Sequence, residues 1–145
     1  IGGYPFPMGL AMFKPEYDLW KPGEHSGTFR GIQLSMVAAK AGLEFMLDNN
    51  IEAETRRKGE IVREYLEKNI DGDPNVIATR GIGLLWGVEV KDDATAGAIT
   101  ARAFKKGLVI ERAGRDNIKI MPPLIISDED LIAGLDILKE AIDGE

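Results

Sequence analysis

A hydroxyl residue stands in a glycine-bounded turn at residues 22–31, which read PGEHSGTFRG. Thr28 lies between Gly27 and Gly31, directly before a segment with helical periodicity. A hydroxyl in such a turn can donate a hydrogen bond to a phosphate while nearby backbone N–H groups face the same anion. The same pattern is also typical of an ordinary helix N-cap. On the local chemistry alone, Thr28 is therefore either a phosphate-binding residue or a capping residue.

Few other side chains could carry chemistry. The sequence has no cysteine and one histidine, His25, which argues against disulfides and against thiolate or histidine metal sites. The net charge of −6, with acidic and basic residues interleaved, argues against a nucleic acid partner. The longest uncharged run, residues 1–13, is too short to span a membrane and contains Pro5 and Pro7. We therefore expect a cytoplasmic protein without a metal, a nucleic acid partner or a membrane anchor.

The apolar periodicity predicts the element order α-α-β-β-α-β-β-α. Helices are expected at about 32–47, 51–68 and 94–106 and after Ser127, and strands at 76–80, 84–90, 108–111 and 118–121. Ahead of them, a turn at residues 2–7, a short apolar strand at 9–13 and a long loop are expected. The order implies an α/β fold of the α+β kind, with a small, mostly antiparallel sheet and helices on one face.

Several charged and aromatic residues have a structural interpretation. Trp86 and Tyr65 fall in apolar patterns and are predicted to lie in the core. Arg80 is predicted to form a structural ion pair, with binding of a carboxylate ligand as the alternative. His25 is predicted to lie exposed in its loop, with a contact to a ligand or to a partner subunit as the alternative. A solvated face is predicted for the charged residues of the second helix, which are Glu54, Arg56, Arg57, Lys58, Glu60, Arg63 and Glu64.

Four stretches of the chain carry a resemblance to one family. They are GGYPFPM at 2–8, GTFRG at 27–31, RGIGLLWGVE at 80–89 and IKIMPPLII at 118–126. In this order they resemble the class III, fold type I pyridoxal-phosphate aminotransferases over essentially the whole chain. Within that family, the GTFRG string and residues 110–112 are similar to those of the diaminobutyrate–2-oxoglutarate aminotransferases.

The resemblance implies an enzyme that uses pyridoxal 5'-phosphate to move an amino group between an amino acid and an oxo acid. It implies three regions: a remnant of the large cofactor-binding domain at 1–30, inter-domain helices at 31–71 and the C-terminal small domain at 72–145. In the family a lysine holds the cofactor as a Schiff base, and the family's spacing places it about two positions before Ile1. The chain is therefore expected to be a C-terminal fragment that lacks the catalytic lysine and does not transaminate alone.

The resemblance gives two residues a ligand-binding role. The family counterpart of Thr28 hydrogen-bonds the cofactor phosphate of the partner subunit, which implies a homodimer or a higher homo-oligomer. Many relatives have an arginine just before Pro-Pro-Leu that binds a substrate carboxylate through two parallel hydrogen bonds, and Lys119 is the candidate for this role here. A lysine ammonium offers a single point of positive charge and lacks the planar pair of donors of an arginine. The alternative for Lys119 is an exposed strand lysine without a ligand. The chain departs from many relatives at Ile32, where they have Asn.

The expected reaction of the parent enzyme converts glutamate and aspartate 4-semialdehyde into 2,4-diaminobutyrate and 2-oxoglutarate. One alternative is the same chemistry on ornithine, acetylornithine or 4-aminobutyrate. Another is a non-catalytic α/β interaction or ligand-sensing module, which accounts for the absent lysine but leaves the Thr28 turn and residues 1–13 without a role. Because residues 1–13 are apolar, we also predict that the chain self-associates.

Overall fold

The structure, a computed structural model, describes residues 6–144. The chain divides into two compact units with the boundary between Asn50 and Ile51. Within the described residues, no helix combines the length and the apolar character needed to cross a membrane. The division into three regions at residues 30 and 71 stays a prediction.

The first unit consists of an irregular segment followed by one long helix. A short 3₁₀ helix, Pro15–Tyr17, interrupts the irregular segment, and helix α1 spans Gln33–Asp48. Its last turn is closed by Asn49, whose side-chain amide donates to the Phe45 carbonyl at 2.8 Å. The predicted helix at 32–47 is confirmed to within one residue at each end.

The apolar strand predicted at residues 9–13 is wrong, because this segment has no regular secondary structure. A strand is stable only when its backbone groups pair with a neighbour, and residues 6–50 contain no strand that could serve. The side chains stay exposed, Met12 to 88%, although Phe13 makes an edge-to-face contact with Trp20 at 5.7 Å between ring centroids. Most of the predicted turn at 2–7 lies outside the described residues.

The second unit is an antiparallel sheet packed with three helices. Its strands are β1 (Val76–Ile82), β2 (Leu85–Val90), β3 (Glu111–Arg112) and β4 (Asn117–Ile120), in the order β1-β2-β4-β3 with every neighbouring pair antiparallel. The helices are α2 (Ile51–Asn69), α3 (Asp93–Lys105) and α4 (Asp128–Asp143). This arrangement confirms the predicted α/β fold with a small antiparallel sheet.

Capping residues define the start of α4 and the end of α3. Ser127 caps α4, its Oγ accepting from the Asp130 N–H at 3.0 Å and donating to the Asp130 carboxylate at 2.8 Å. Gly107 follows the last turn of α3 with a φ of +94°, a conformation that glycine adopts without steric cost. The Leu108 N–H then donates to the Ala103 carbonyl at 2.9 Å and completes the helix end.

The third strand is shorter than predicted. Only Glu111 and Arg112 pair with β4, opposite Lys119 and Ile118, so the strand expected at 108–111 is wrong over residues 108–110. The partner strand ends at Ile120 and is followed by Pro122 and Pro123, which have no N–H to continue the ladder.

The core of the second unit lies between one face of the sheet and the helices. Trp86 belongs to it, as predicted, and its indole N–H donates to the Gly83 carbonyl at 2.8 Å. Tyr65 only packs against its margin, and its hydroxyl donates to Asp136 at 2.5 Å. Burial and the Asp136 carboxylate raise the pKa of Tyr65. The largest fully buried side chains are Leu66, Ile70, Ile99, Ile118, Leu138, Ile142, Val62, Val88 and Val90.

Two glycines allow α2 to approach the turn between β1 and β2. A Cβ atom placed on Gly59 would lie 2.7 Å from the Cα and the carbonyl oxygen of Gly83. Gly83 itself has a φ of +56°, in the left-handed region. Helix and turn are therefore in direct backbone contact at this point.

Gly59→Ala is expected to lower the free energy of unfolding by roughly 1–3 kcal/mol, because overpacking against backbone outweighs alanine's helix preference of about 1 kcal/mol. Gly134→Ala in α4 is the matched control, since its Cβ would only touch Leu108 at 3.7 Å. Urea denaturation followed by tryptophan fluorescence measures both variants. Equal stabilities of the two variants would contradict the close approach.

Candidate functional site

In the first unit, the GTFRG turn precedes α1 without capping it. Residues 28–31 form the turn, in which the Arg30 N–H donates to the Gly27 carbonyl at 3.0 Å and Gly31 has a φ of +76°. Helix α1 has Ile32 as its N-cap residue, with no side-chain capping hydrogen bond. Thr28 lies four positions earlier and its side chain is exposed, so the N-cap interpretation is wrong.

The Arg30 side chain reaches back to His25, ahead of the turn. Its Nη1 donates to the His25 carbonyl at 2.7 Å, and its Nη2 lies 2.6 Å from His25 Nε2. The His25 ring in turn stacks on Trp20, with ring centroids 4.6 Å apart. Because a guanidinium only donates, His25 Nε2 is the acceptor and Nδ1 carries the ring proton. His25 is exposed, as predicted, but it is also held in place.

The donors at this turn suit a phosphate. The Thr28 hydroxyl is exposed and is not used for capping, and the Arg30 guanidinium adds positive charge two residues away. Gly27 leaves its side of the turn open, since a Cβ there would meet only the Cβ of Arg30, at 4.0 Å. An anion can therefore approach the backbone closely.

In the second unit, Lys119 lies in the middle of β4 opposite Glu111 of β3. The two side chains form an ion pair of 2.5 Å, with the lysine 26% exposed and the glutamate 68% exposed. Both line a cavity of about 640 Å³ whose other walls are mainly apolar, among them Met121, Pro122 and Pro123. Because Glu111 is mostly exposed to water, its pairing with Lys119 contributes little free energy, and an incoming carboxylate can replace it at small cost.

Helix α2 differs from the prediction at Lys58. This lysine is 7% exposed, not solvated, and its ammonium donates to the carbonyls of Ile126 at 2.6 Å and Leu124 at 3.4 Å. Lys58 is spaced four and eight residues before Val62 and Leu66, which are both fully buried. That i, i+4, i+8 spacing was the signal in the sequence for its burial.

The other charged residues of α2 form the predicted solvated face with its ion pairs. Arg57 binds the Asp128 carboxylate through both terminal nitrogens, at 2.8 and 2.7 Å, and also contacts Glu54 at 2.9 Å. Its guanidinium lowers the pKa of both carboxyls, mainly through these hydrogen bonds. Arg63 similarly pairs with Glu60 at 2.7 Å and Glu67 at 2.9 Å.

Arg80 forms the structural ion pair that the sequence predicts. It binds Glu89 on the neighbouring strand at 2.5 Å, and its side chain stays 68% exposed. Among residues 6–144, no group of three or more histidines and carboxylates is arranged to hold a metal ion. The two candidate ligand sites are therefore the Thr28 turn in the first unit and the Lys119 cavity in the second.

Comparison with known proteins identifies the class to which this fold and these residues belong. The family described as "Aminotransferase class-III" matches residues 1–142. The chain therefore belongs to the class III aminotransferases, the family that the sequence resembles, and the cofactor of this family is pyridoxal 5'-phosphate. This membership argues against the non-catalytic module.

More specific similarities come from individual proteins. The chain is 44% identical over 146 residues to the diaminobutyrate–2-oxoglutarate transaminase of Nocardia farcinica, covering 99% of this chain and 33% of that protein. It is 44% identical over 145 residues to the enzyme of the same name from Wolinella succinogenes, covering 98% and 34%. Among solved structures, the acetylornithine aminotransferase of Elizabethkingia anophelis superposes with a TM-score of 0.79 and 28% identity, covering 88% and 34%. The chain thus spans about a third of the length of these relatives.

Proposed function

We propose that the chain forms the C-terminal part of a diaminobutyrate–2-oxoglutarate aminotransferase, which converts glutamate and aspartate 4-semialdehyde into 2,4-diaminobutyrate and 2-oxoglutarate. The observation that carries this proposal is the 44% identity, over 99% of the chain, to the enzyme of that name from Nocardia farcinica. Identity to the acetylornithine aminotransferase is lower, at 28%. Ornithine, acetylornithine and 4-aminobutyrate remain the alternative substrates. When bound, pyridoxal phosphate supplies the electron sink for the amino transfer.

In this proposal Thr28 donates its hydroxyl hydrogen to the cofactor phosphate of the partner subunit. The exposed hydroxyl and its release from any capping role support this assignment. The hydrogen bonds between Arg30 and His25 join the residues on either side of Thr28. Since the phosphate would belong to the partner, the proposal includes a homodimer or a higher homo-oligomer in the cytoplasm.

Lys119 is proposed to bind a carboxylate of the substrate. The Lys119 side chain is 26% exposed, and the residue lines a cavity with mainly apolar walls, next to which a positive charge attracts an anion more strongly than in open water. Glu111 holds the ammonium until the substrate carboxylate replaces it. The Schiff-base lysine that moves the proton at the substrate carbon is proposed to lie outside this chain.

The substrate is tested by the absorbance spectrum of the full-length enzyme with pyridoxal phosphate. The long-wavelength band of the bound cofactor is expected to disappear when 2,4-diaminobutyrate is added and to return with 2-oxoglutarate. A response only to ornithine, acetylornithine or 4-aminobutyrate would keep the family chemistry and change the substrate. A protein that takes up no cofactor would refute the proposed activity.

Thr28→Ala is expected to weaken binding of pyridoxal phosphate by about tenfold or more, since a hydrogen bond to a charged oxygen contributes roughly 1.5–3 kcal/mol. Thr28→Ser keeps the hydroxyl and serves as the control, with affinity near that of the unmodified enzyme. Fluorescence titration of the cofactor-free, full-length enzyme gives both dissociation constants. If Thr28→Ala binds as tightly as Thr28→Ser, the phosphate contact is wrong.

Lys119→Met is expected to raise KM for 2-oxoglutarate by about tenfold or more, because a charge-assisted hydrogen bond to the carboxylate is lost. Arg80→Met is the matched control, since Arg80 is also a strand cation in a 2.5 Å ion pair. Steady-state kinetics of the full-length enzyme compare the two. If both variants have the same KM, Lys119 does not bind the substrate carboxylate and is a strand lysine without a ligand.

A further inference from the structure

Lys58 is a buried cation for which the proposed function gives no role. Its side chain is 7% exposed, and among the described residues no other charged side chain is classed as buried. Removing an ammonium from water is costly, and an apolar side chain of similar size fills such a space without that cost. What the ammonium provides here is two hydrogen bonds, to the carbonyls of Ile126 and Leu124.

Both carbonyls belong to the connector at residues 121–127, which joins β4 to α4. Pro122 and Pro123 deprive this connector of two N–H donors, so it cannot extend the sheet. Its own backbone hydrogen bond runs from the Ile126 N–H to the Pro123 carbonyl, at 3.0 Å. Lys58 therefore supplies the donors that fasten the connector to α2.

Neighbouring residues of α2 fix the same region. Arg57 binds Asp128 at the start of α4 through two hydrogen bonds, and Gly59 brings the helix against the backbone of Gly83. The residues directly before and after Lys58 thus hold it in place relative to α4 and to the sheet. The connector is held at a fixed distance from this helix.

The connector is also a wall of the Lys119 cavity. Met121, Pro122, Pro123 and Ile126 line the cavity together with Lys119 and Glu111. The carbonyl of Ile126 that accepts from Lys58 thus belongs to a residue whose surface faces the cavity. We propose that Lys58 is a positioning residue, which holds this wall so that a carboxylate can lie against Lys119. The inference rests on the proposed role of Lys119.

The test compares Lys58→Met with Arg63→Met in the full-length enzyme. Arg63 is a cation of the same helix that pairs only with Glu60 and Glu67 on the exposed face. Lys58→Met is expected to raise KM for 2-oxoglutarate about tenfold with kcat nearly unchanged, because a misplaced wall weakens substrate binding. Arg63→Met is expected to change neither constant. An equal KM in the two variants would overturn the inference.

Hydrogen–deuterium exchange of the cofactor-free enzyme gives a readout that does not depend on activity. Lys58→Met is expected to accelerate exchange of the Ile126 amide, the hydrogen-bonded N–H of the connector, about tenfold while β2 keeps its protection. Acceleration that spreads equally over β2 and α4 would show a role in global stability and overturn the inference. If Lys58→Met does not fold, Lys58→Gln, which keeps a neutral donor on a shorter side chain, is compared with Arg63→Met by the same criteria.

The two proposals fail in distinguishable ways. If Lys119→Met leaves KM unchanged, the carboxylate site fails and the positioning role fails with it. If Lys119→Met raises KM but Lys58→Met does not, only the positioning role is overturned. A rise in KM for both variants, with exchange confined to residues 121–127, supports both.

Discussion

The architecture of the second unit depends on three consecutive residues of α2. Arg57, Lys58 and Gly59 contact the start of α4, the connector after β4 and the turn between β1 and β2, respectively. Each contact is of a different kind: an ion pair, an ammonium on backbone carbonyls, and backbone against backbone. Together with the packing of Val62 and Leu66 in the core, they position the helix relative to the sheet.

The sequence was sufficient for the helices and for much of the sheet. Helices α1, α2 and α3 begin and end within one residue of their predicted bounds, because their periodicity and terminal residues agree with each other. The segments at 9–13 and 108–110 were mispredicted as strands for a common reason. A run of apolar residues does not form a strand by itself, because a strand also needs a neighbouring strand with free backbone donors and acceptors. Whether such a neighbour is present depends on the tertiary structure.

For the candidate sites, the sequence identified residues but not their partners. Thr28 and Lys119 could be named from motifs, whereas the pairing of Lys119 with Glu111 depends on the register of β3 and β4. The contact between Arg30 and His25 joins residues five apart in an irregular loop, a spacing with no periodic signature. Lys58 was predicted to be solvated because its charge was given more weight than its position on the buried stripe of α2.

The two edge strands of the sheet, β3 and β1, differ in length but share one consequence. At one edge, β3 consists only of Glu111 and Arg112, so this edge offers another molecule two charged residues to pair with. The opposite edge, β1, is seven residues long, and it carries an irregularity in register between Val76 and Ala78. Short charged edges and bulged edges both discourage edge-to-edge pairing between molecules. Both edges of the sheet are thus poor templates for intermolecular β-aggregation.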